Sequence, residues 1–180
     1  AGGFRTKFVP VERDVWAHNE LERPTGYVPG FLRFNQDIAP YAAGDPLLGF
    51  VESFFGPHAR ISMTSGIVNG SGIPRGLLHS DWPYNQKSAA HVPAPYPDSV
   101  LHIVTMWMLT DFTPENGGTI LVPGSHKQPC HPVGETAAAP WPGETQLTGK
   151  AGTVAAFDAR LWHAVAPNRT DRDRVAVLVR

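Results

Sequence analysis

The sequence predicts a mainly β chain: an antiparallel sandwich or barrel behind a short leading layer with one helix. Three observations carry this. Gly and Pro number 18 each in 180 residues, which predicts many turns and argues against a helical bundle. From residue 59 onward, segments rich in Val, Ile, Thr and aromatics alternate with turn residues. Only residues 45–56 carry a clear helical period.

Residues 1–44 are mixed, with Pro and Gly interrupting short apolar pieces such as GYVPGFLRF, and read as an irregular outer layer. In DPLLGFVESFFG, Asp45 is a candidate cap and Pro46 suits a first turn. Leu47, Leu48, Val51, Phe54 and Phe55 share one helical face, and Gly56-Pro57 ends it. The strand candidates are ARISMTSGIV, SVLHIVTMWMLTDF, GTILVPG, GTVAAFDARLWHAVA and RVAVLVR. Residues 113–118, TPENGG, form a strong turn between two of them. Two polar stretches, 83–98 and 123–149, are long enough for functional loops. The whole chain, 1–180, reads as one domain: a flanking layer over 1–58 and a β core over 59–180.

Composition narrows the class. Hydrophobic residues make up 42% of the chain and the net charge is -1, which offers nothing to nucleic acid or an anionic membrane surface. No apolar run approaches a membrane span. The single cysteine, Cys130, excludes an intramolecular disulfide and points to a reducing, cytoplasmic compartment. The opening AGGFRTKF lacks both an initiator Met and an apolar signal core, so the chain reads as processed or as a piece of a longer one.

The chemistry starts from His79-Ser80-Asp81. On a strand, residues i and i+2 face the same way, so an imidazole and a carboxylate can meet one ion. With 8 His and 9 Asp, chance alone supplies about 0.4 such pairs. His163 lies in an apolar strand, where a lone histidine is more often a satisfied core residue. Arg174 shifts that balance. A hairpin centred between Asn168 and Arg169 would set Arg174 opposite His163, on a strand otherwise apolar. A guanidinium there needs an anion. It is either Asp158, Asp171 or Asp173, or the carboxylate of a bound diacid. Two histidines and one carboxylate with open positions form the facial triad of non-haem Fe(II) oxygenases.

Together HSDWPY, TMWMLTDFTPENGGTILVPGSHK and FDARLWHAVAPNRTDRDR resemble the phytanoyl-CoA dioxygenase family of 2-oxoglutarate oxygenases, over roughly residues 59–180. The resemblance implies a double-stranded β-helix (a jelly-roll, cupin-like core) with a few flanking helices. It implies Fe(II) on His79, Asp81 and His163, with 2-oxoglutarate as cosubstrate anchored by Arg174 and O2 as oxidant. Thr119, Trp107 and Asn69 match positions near the cosubstrate, and in the family the turn containing His126 and Lys127 is structural. Trp82 and Tyr84, with the 83–98 loop, are expected to line the substrate pocket.

Two departures stand out. Many relatives carry Ser or Thr where this chain has Val165, leaving Thr119 as the substitute. Relatives are also often longer, while this chain stops six residues past Arg174. The activity implied is hydroxylation of a small organic metabolite, releasing succinate and CO2. Related halogenases replace the carboxylate ligand with Gly or Ala, and Asp81 favours hydroxylation. Desaturation or ring formation uses the same ligands, and a non-catalytic jelly-roll binding protein is the alternative from another class. Substrate identity and oligomeric state are not written in the sequence.

Overall fold

The computed structural model describes residues 26–33, 35–82 and 95–180. It shows two antiparallel sheets facing each other, the jelly-roll arrangement expected of the β core. The strands are β1 (Gly26–Pro29), β2 (Thr64–Asn69), β3 (Ile103–Met108), β4 (Ile120–Leu121), β5 (Thr145–Gln146), β6 (Val154–Asp158), β7 (His163–Ala164) and β8 (Arg174–Val179). The large sheet runs β1-β2-β8-β3-β6, and the small one β5-β4-β7. His79 extends the small sheet through an antiparallel bridge to His163.

The helices are α1 (Ala39–Ala42), α2 (Leu47–Phe55) and α3 (Glu135–Ala138). In α2 the capping residue is Pro46 and no side chain caps the end, so Asp45 does not act as expected. Its apolar side chains stay partly exposed, with Phe50 and Phe54 packing edge to face at 5.2 Å. Two other features were not anticipated. GYVP pairs with β2 as an edge strand, and the polar stretch after residue 123 contains α3 and β5.

Side-chain parity separates two apolar layers. Val104, Met106 and Met108 of β3, Ala176 and Leu178 of β8, and Phe112 form a core between the sheets, joined by Ile67, Ala155 and Phe157. Leu78, Ile120, Val122, Trp162, Ala164 and Ala166 form the second core on the other face of the small sheet, under Trp141. Trp162 is fixed twice: its ring meets Trp141 at 5.1 Å, and its N–H donates to Ser125 Oγ at 2.7 Å.

The expected hairpin between the His163 and Arg174 strands does not form. β7 pairs with β4, whereas β8 pairs with β2 and β3 in the opposite sheet. Both edges of β7 are already occupied, by β4 and by residues 76–79, so none is left for β8. The segment between them crosses from sheet to sheet and is locked by Asn168. Its Nδ2 donates to Asn69 O and Arg172 O, each at 2.8 Å, and its Oδ1 accepts from Thr170 N and Oγ1.

Candidate metal centre

His79, Asp81 and His163 converge between the sheets, their potential ligand atoms all within 4.8 Å of one another. Backbone pairing does this. His79 and His163 exchange both N–H···O bonds at 2.9 Å, and Asp81 N donates to Ala159 O at 2.7 Å. Parity then sends Leu78, Trp162 and Ala164 to the second core and the three ligands to the inner face. Ser80, between the ligands, meets His131 Nδ1 at 2.5 Å.

The two imidazoles are oriented alike. His79 Nδ1–H donates to Leu77 O at 3.1 Å and His163 Nδ1–H to Leu161 O at 2.9 Å. A carbonyl only accepts, so each Nδ1 carries a proton, and each Nε2 is the ring nitrogen left for an ion. Burial, then the charge of His163, pushes His79 down to about 3, so its ring is neutral near pH 7. Burial pushes the Asp81 carboxyl up. The opposing charges of His163, Arg180 and His79 outweigh it, and the net direction is down. Asp81 Oδ1 pairs with Arg180 Nη2 at 2.8 Å; Oδ2 has no hydrogen-bond partner among the described residues and lies 3.5 Å from His163 Nε2. One carboxylate oxygen and two imidazole nitrogens suit a divalent transition metal. The orphaned Oδ2 is what an absent ion would leave.

Arg174 and Asn69 are neighbours on the inner face, opposite each other in the β2–β8 register. Arg174 is 1% exposed. Its guanidinium lies 4.4 Å over the Phe112 ring, and Nε has no hydrogen-bond partner among the described residues. Burial alone lowers its pKa to about 10, so it stays charged at neutral pH. None of the three aspartates considered as partners pairs with it: Asp158 holds Arg160 at 2.9 Å, and Asp171 and Asp173 make no ion pair among the described residues. Asn69 Nδ2 donates to Gly117 O and Ala166 O, and Oδ1 is buried without a partner among the described residues. Gly117 has φ +80, and a Cβ there would overlap Asn69 Nδ2 and Ala166 O. The Asn116-Gly117 turn therefore needs its glycine twice over. Thr119 is buried and reaches Met106 Sδ at 3.4 Å, inside the sandwich.

Trp107 is not brought to this space. Its Nε1–H donates to Thr105 Oγ1 at 3.1 Å, on the face of β3 opposite Met106 and Met108. Because neighbouring residues alternate sides, the ring that follows Met106 points out of the sandwich. Trp82 packs against the inner core and meets Tyr96 edge to face at 5.4 Å. Tyr84 lies outside the described residues. The sequence reading overlooked Arg180, although Arg174, Ala176, Leu178 and Arg180 share one parity. His102 lies close enough to feel the same arginine: its pKa is lowered by burial and then by Arg180.

The family model for phytanoyl-CoA dioxygenase (PhyH) matches residues 35–176, and the chain belongs to that family. Dioxygenase af480 of Aspergillus fumigatus is 30% identical over 132 residues, spanning 73% of this chain and 40% of its own length. Among solved structures, EctD from S. alaskensis, with 2-oxoglutarate and 5-hydroxyectoine, superposes with TM-score 0.66 at 22% identity. That match covers 85% of this chain and 54% of EctD. HygX from Streptomyces hygroscopicus, with nickel, 2-oxoglutarate and hygromycin B, gives TM-score 0.68 at 20% identity, covering 88% and 69%. The chain thus spans about 40% of that curated relative's length. No helix among the described residues is long and apolar enough to cross a membrane.

Proposed function

We propose that this chain is the catalytic domain of an Fe(II)- and 2-oxoglutarate-dependent dioxygenase that hydroxylates a small organic molecule. The observation that carries the reading is the inner face itself. Two imidazole Nε2 atoms and one carboxylate oxygen converge there, and a buried guanidinium with no carboxylate partner among the described residues occupies the same space between the sheets.

Fe(II) would sit on His79, Asp81 and His163, and when bound it supplies the oxidative decarboxylation of 2-oxoglutarate and the attack on a substrate C–H bond. The protein's part is to bind and orient. Arg174 holds the distal carboxylate of 2-oxoglutarate, where a planar fork can make two parallel bonds in a site of low polarity. Thr119 Oγ1 and Asn69 are the nearest polar groups to complete that end. Trp82 and Phe157 narrow the approach and exclude water; the Phe157 ring meets His163 at 5.5 Å. Asp81 argues for hydroxylation over halogenation, because a carboxylate already fills the position that halide would need.

The test is aerobic consumption of 2-oxoglutarate with Fe(II) and ascorbate, followed as succinate release. Turnover without added substrate, stopped by a chelator and restored by Fe(II), is expected. Absence of both iron binding and turnover would leave a non-catalytic binding domain. A small-molecule screen on the same readout then separates reaction types: hydroxylation adds one oxygen to the product, whereas desaturation or ring closure removes two hydrogens.

A further inference from the structure

We infer that Arg180 is a positioning residue for the metal ligand Asp81, holding one carboxylate oxygen so that only the other can bind the ion. The inference rests on the metal-centre reading above and goes beyond it, since that reading gives Arg180 no role.

Four observations support it. Arg180 Nη2 donates to Asp81 Oδ1 at 2.8 Å, and the two side chains are 5% and 2% exposed. Asp81 Oδ2, the oxygen left over, is the one that faces His163 Nε2. The Arg180 backbone is anchored independently: its N–H donates to Met63 O at 2.9 Å, and its carbonyl accepts from Ser62 N at 2.7 Å and Ser62 Oγ at 3.1 Å. Its Nη1 also reaches Met63 Sδ at 3.5 Å. The backbone that carries the guanidinium is thus held by Ser62 and Met63, independently of the carboxylate.

The consequence concerns open coordination positions. A carboxylate free to rotate can chelate with both oxygens and occupy one position more than a monodentate ligand. In a site with three protein ligands, the positions left over are the ones a bidentate 2-oxo acid and O2 require. Pinning Oδ1 keeps those positions open. Removing an outer partner that fixes a ligand's orientation typically costs about tenfold to a hundredfold in metal affinity or activity. Lysine would keep the charge but lose the fixed fork geometry.

The experiment loads wild type, Arg180→Met and Arg180→Lys with Co(II), records the visible ligand-field spectrum, and titrates 2-oxoglutarate into each loaded protein. Arg180→Met is expected to change the Co(II) spectrum and to weaken 2-oxoglutarate by about tenfold. Arg180→Lys should fall between it and wild type. A purely packing role would lower Tm without altering the spectrum. Should Arg180→Met fail to fold, Arg180→Lys decides alone: a wild-type spectrum and wild-type 2-oxoglutarate affinity overturn the inference. The same result in Arg180→Met overturns it too, while leaving the metal centre standing. If wild type itself yields no bound-Co(II) spectrum, the metal-centre reading falls, and this inference with it.

Discussion

Arg174 and Arg180 lie six residues apart on one face of the same sheet, both buried, and the fold treats them in opposite ways. Arg180 finds a carboxylate at 2.8 Å. Arg174 finds an aromatic ring at 4.4 Å, and its Nε finds no acceptor among the described residues. A buried cation with no counter-ion costs stability, and a chain keeps it where something from outside completes it. The charge of Arg180 is satisfied within the chain and orients a ligand. On the proposed function, the charge of Arg174 awaits the carboxylate of 2-oxoglutarate. The difference between Arg174 on β8 and Arg180 just past its end follows from which carboxylates the neighbouring segments bring near.

The largest expected effect comes from removing the carboxylate that separates the two cases. Asp81→Ala should abolish substrate-free turnover of 2-oxoglutarate. It also strands Arg180, and breaking a buried pair from one side costs about 3–5 kcal/mol. Full activity in that variant, folded by circular dichroism, would sink the metal assignment. Arg174→Met comes next, and it should divide function from stability. The 2-oxoglutarate dissociation constant should rise about a hundredfold, as expected on deleting one side of a desolvated charge pair, while the Fe(II) requirement stays within about threefold. The metal-free protein should gain stability, each kcal/mol raising Tm by about 2–4 °C, because an apolar side chain of similar length replaces an uncompensated charge. Equal losses of iron and 2-oxoglutarate would contradict the anchor role, and a lower Tm would show that Arg174 has a counter-charge in solution.

How far the site could be read beforehand depended on the range of each signal. The pairing of His79 with Asp81 is a two-residue parity and was legible. So was the oddity of Arg174, a charge in RVAVLVR that the structure buries with its Nε unpartnered among the described residues. The sheet that Arg174 joins was not legible. Residues 165–173 look like a hairpin turn, but Asn168 ties them to Asn69 and Arg172 and carries the chain to the other sheet. That bond spans 99 residues, and no local pattern encodes it. Trp107 was misread for a related reason. β3 is central and apolar on both faces, with Ile103–Met108 buried except for the partly buried Trp107. Alternation therefore did not reveal which face looks inward. Arg180 could have been found, since parity from Arg174 reaches it directly.

Smaller effects test the surroundings of the two arginines. Thr119→Val should weaken 2-oxoglutarate by about fivefold, the worth of one hydrogen bond near 1 kcal/mol, and leave the Arg180–Asp81 pair untouched. No change would remove Thr119 from the cosubstrate end. Acid probes the iron end. An unfolded imidazole titrates near 6.5, and burial holds His79 at about 3. As pH falls from 6.5 toward 3, the unfolded chain takes up a proton that the folded chain refuses, so metal-free stability should decline, by at most about 1.4 kcal/mol per pH unit. Above pH 7 His79 contributes nothing to the slope. In His79→Gln the decline should be shallower, and an unchanged slope would show that another group controls it.

The smallest expected effect belongs to Trp107→Phe. The indole N–H donates to Thr105 on the outward face of β3, and the paired residue on β8, Val177, shares that face. Losing the bond should cost about 1 kcal/mol, read as a fall in Tm of about 2–4 °C. The 2-oxoglutarate dissociation constant should stay within about twofold of wild type. A tenfold rise would mean that Trp107 reaches the cosubstrate after all. The inward face of β3 would then be the one carrying Thr105 and Trp107, and the shared parity that puts Arg174 of β8 and the following Arg180 on the inner face would fail with it.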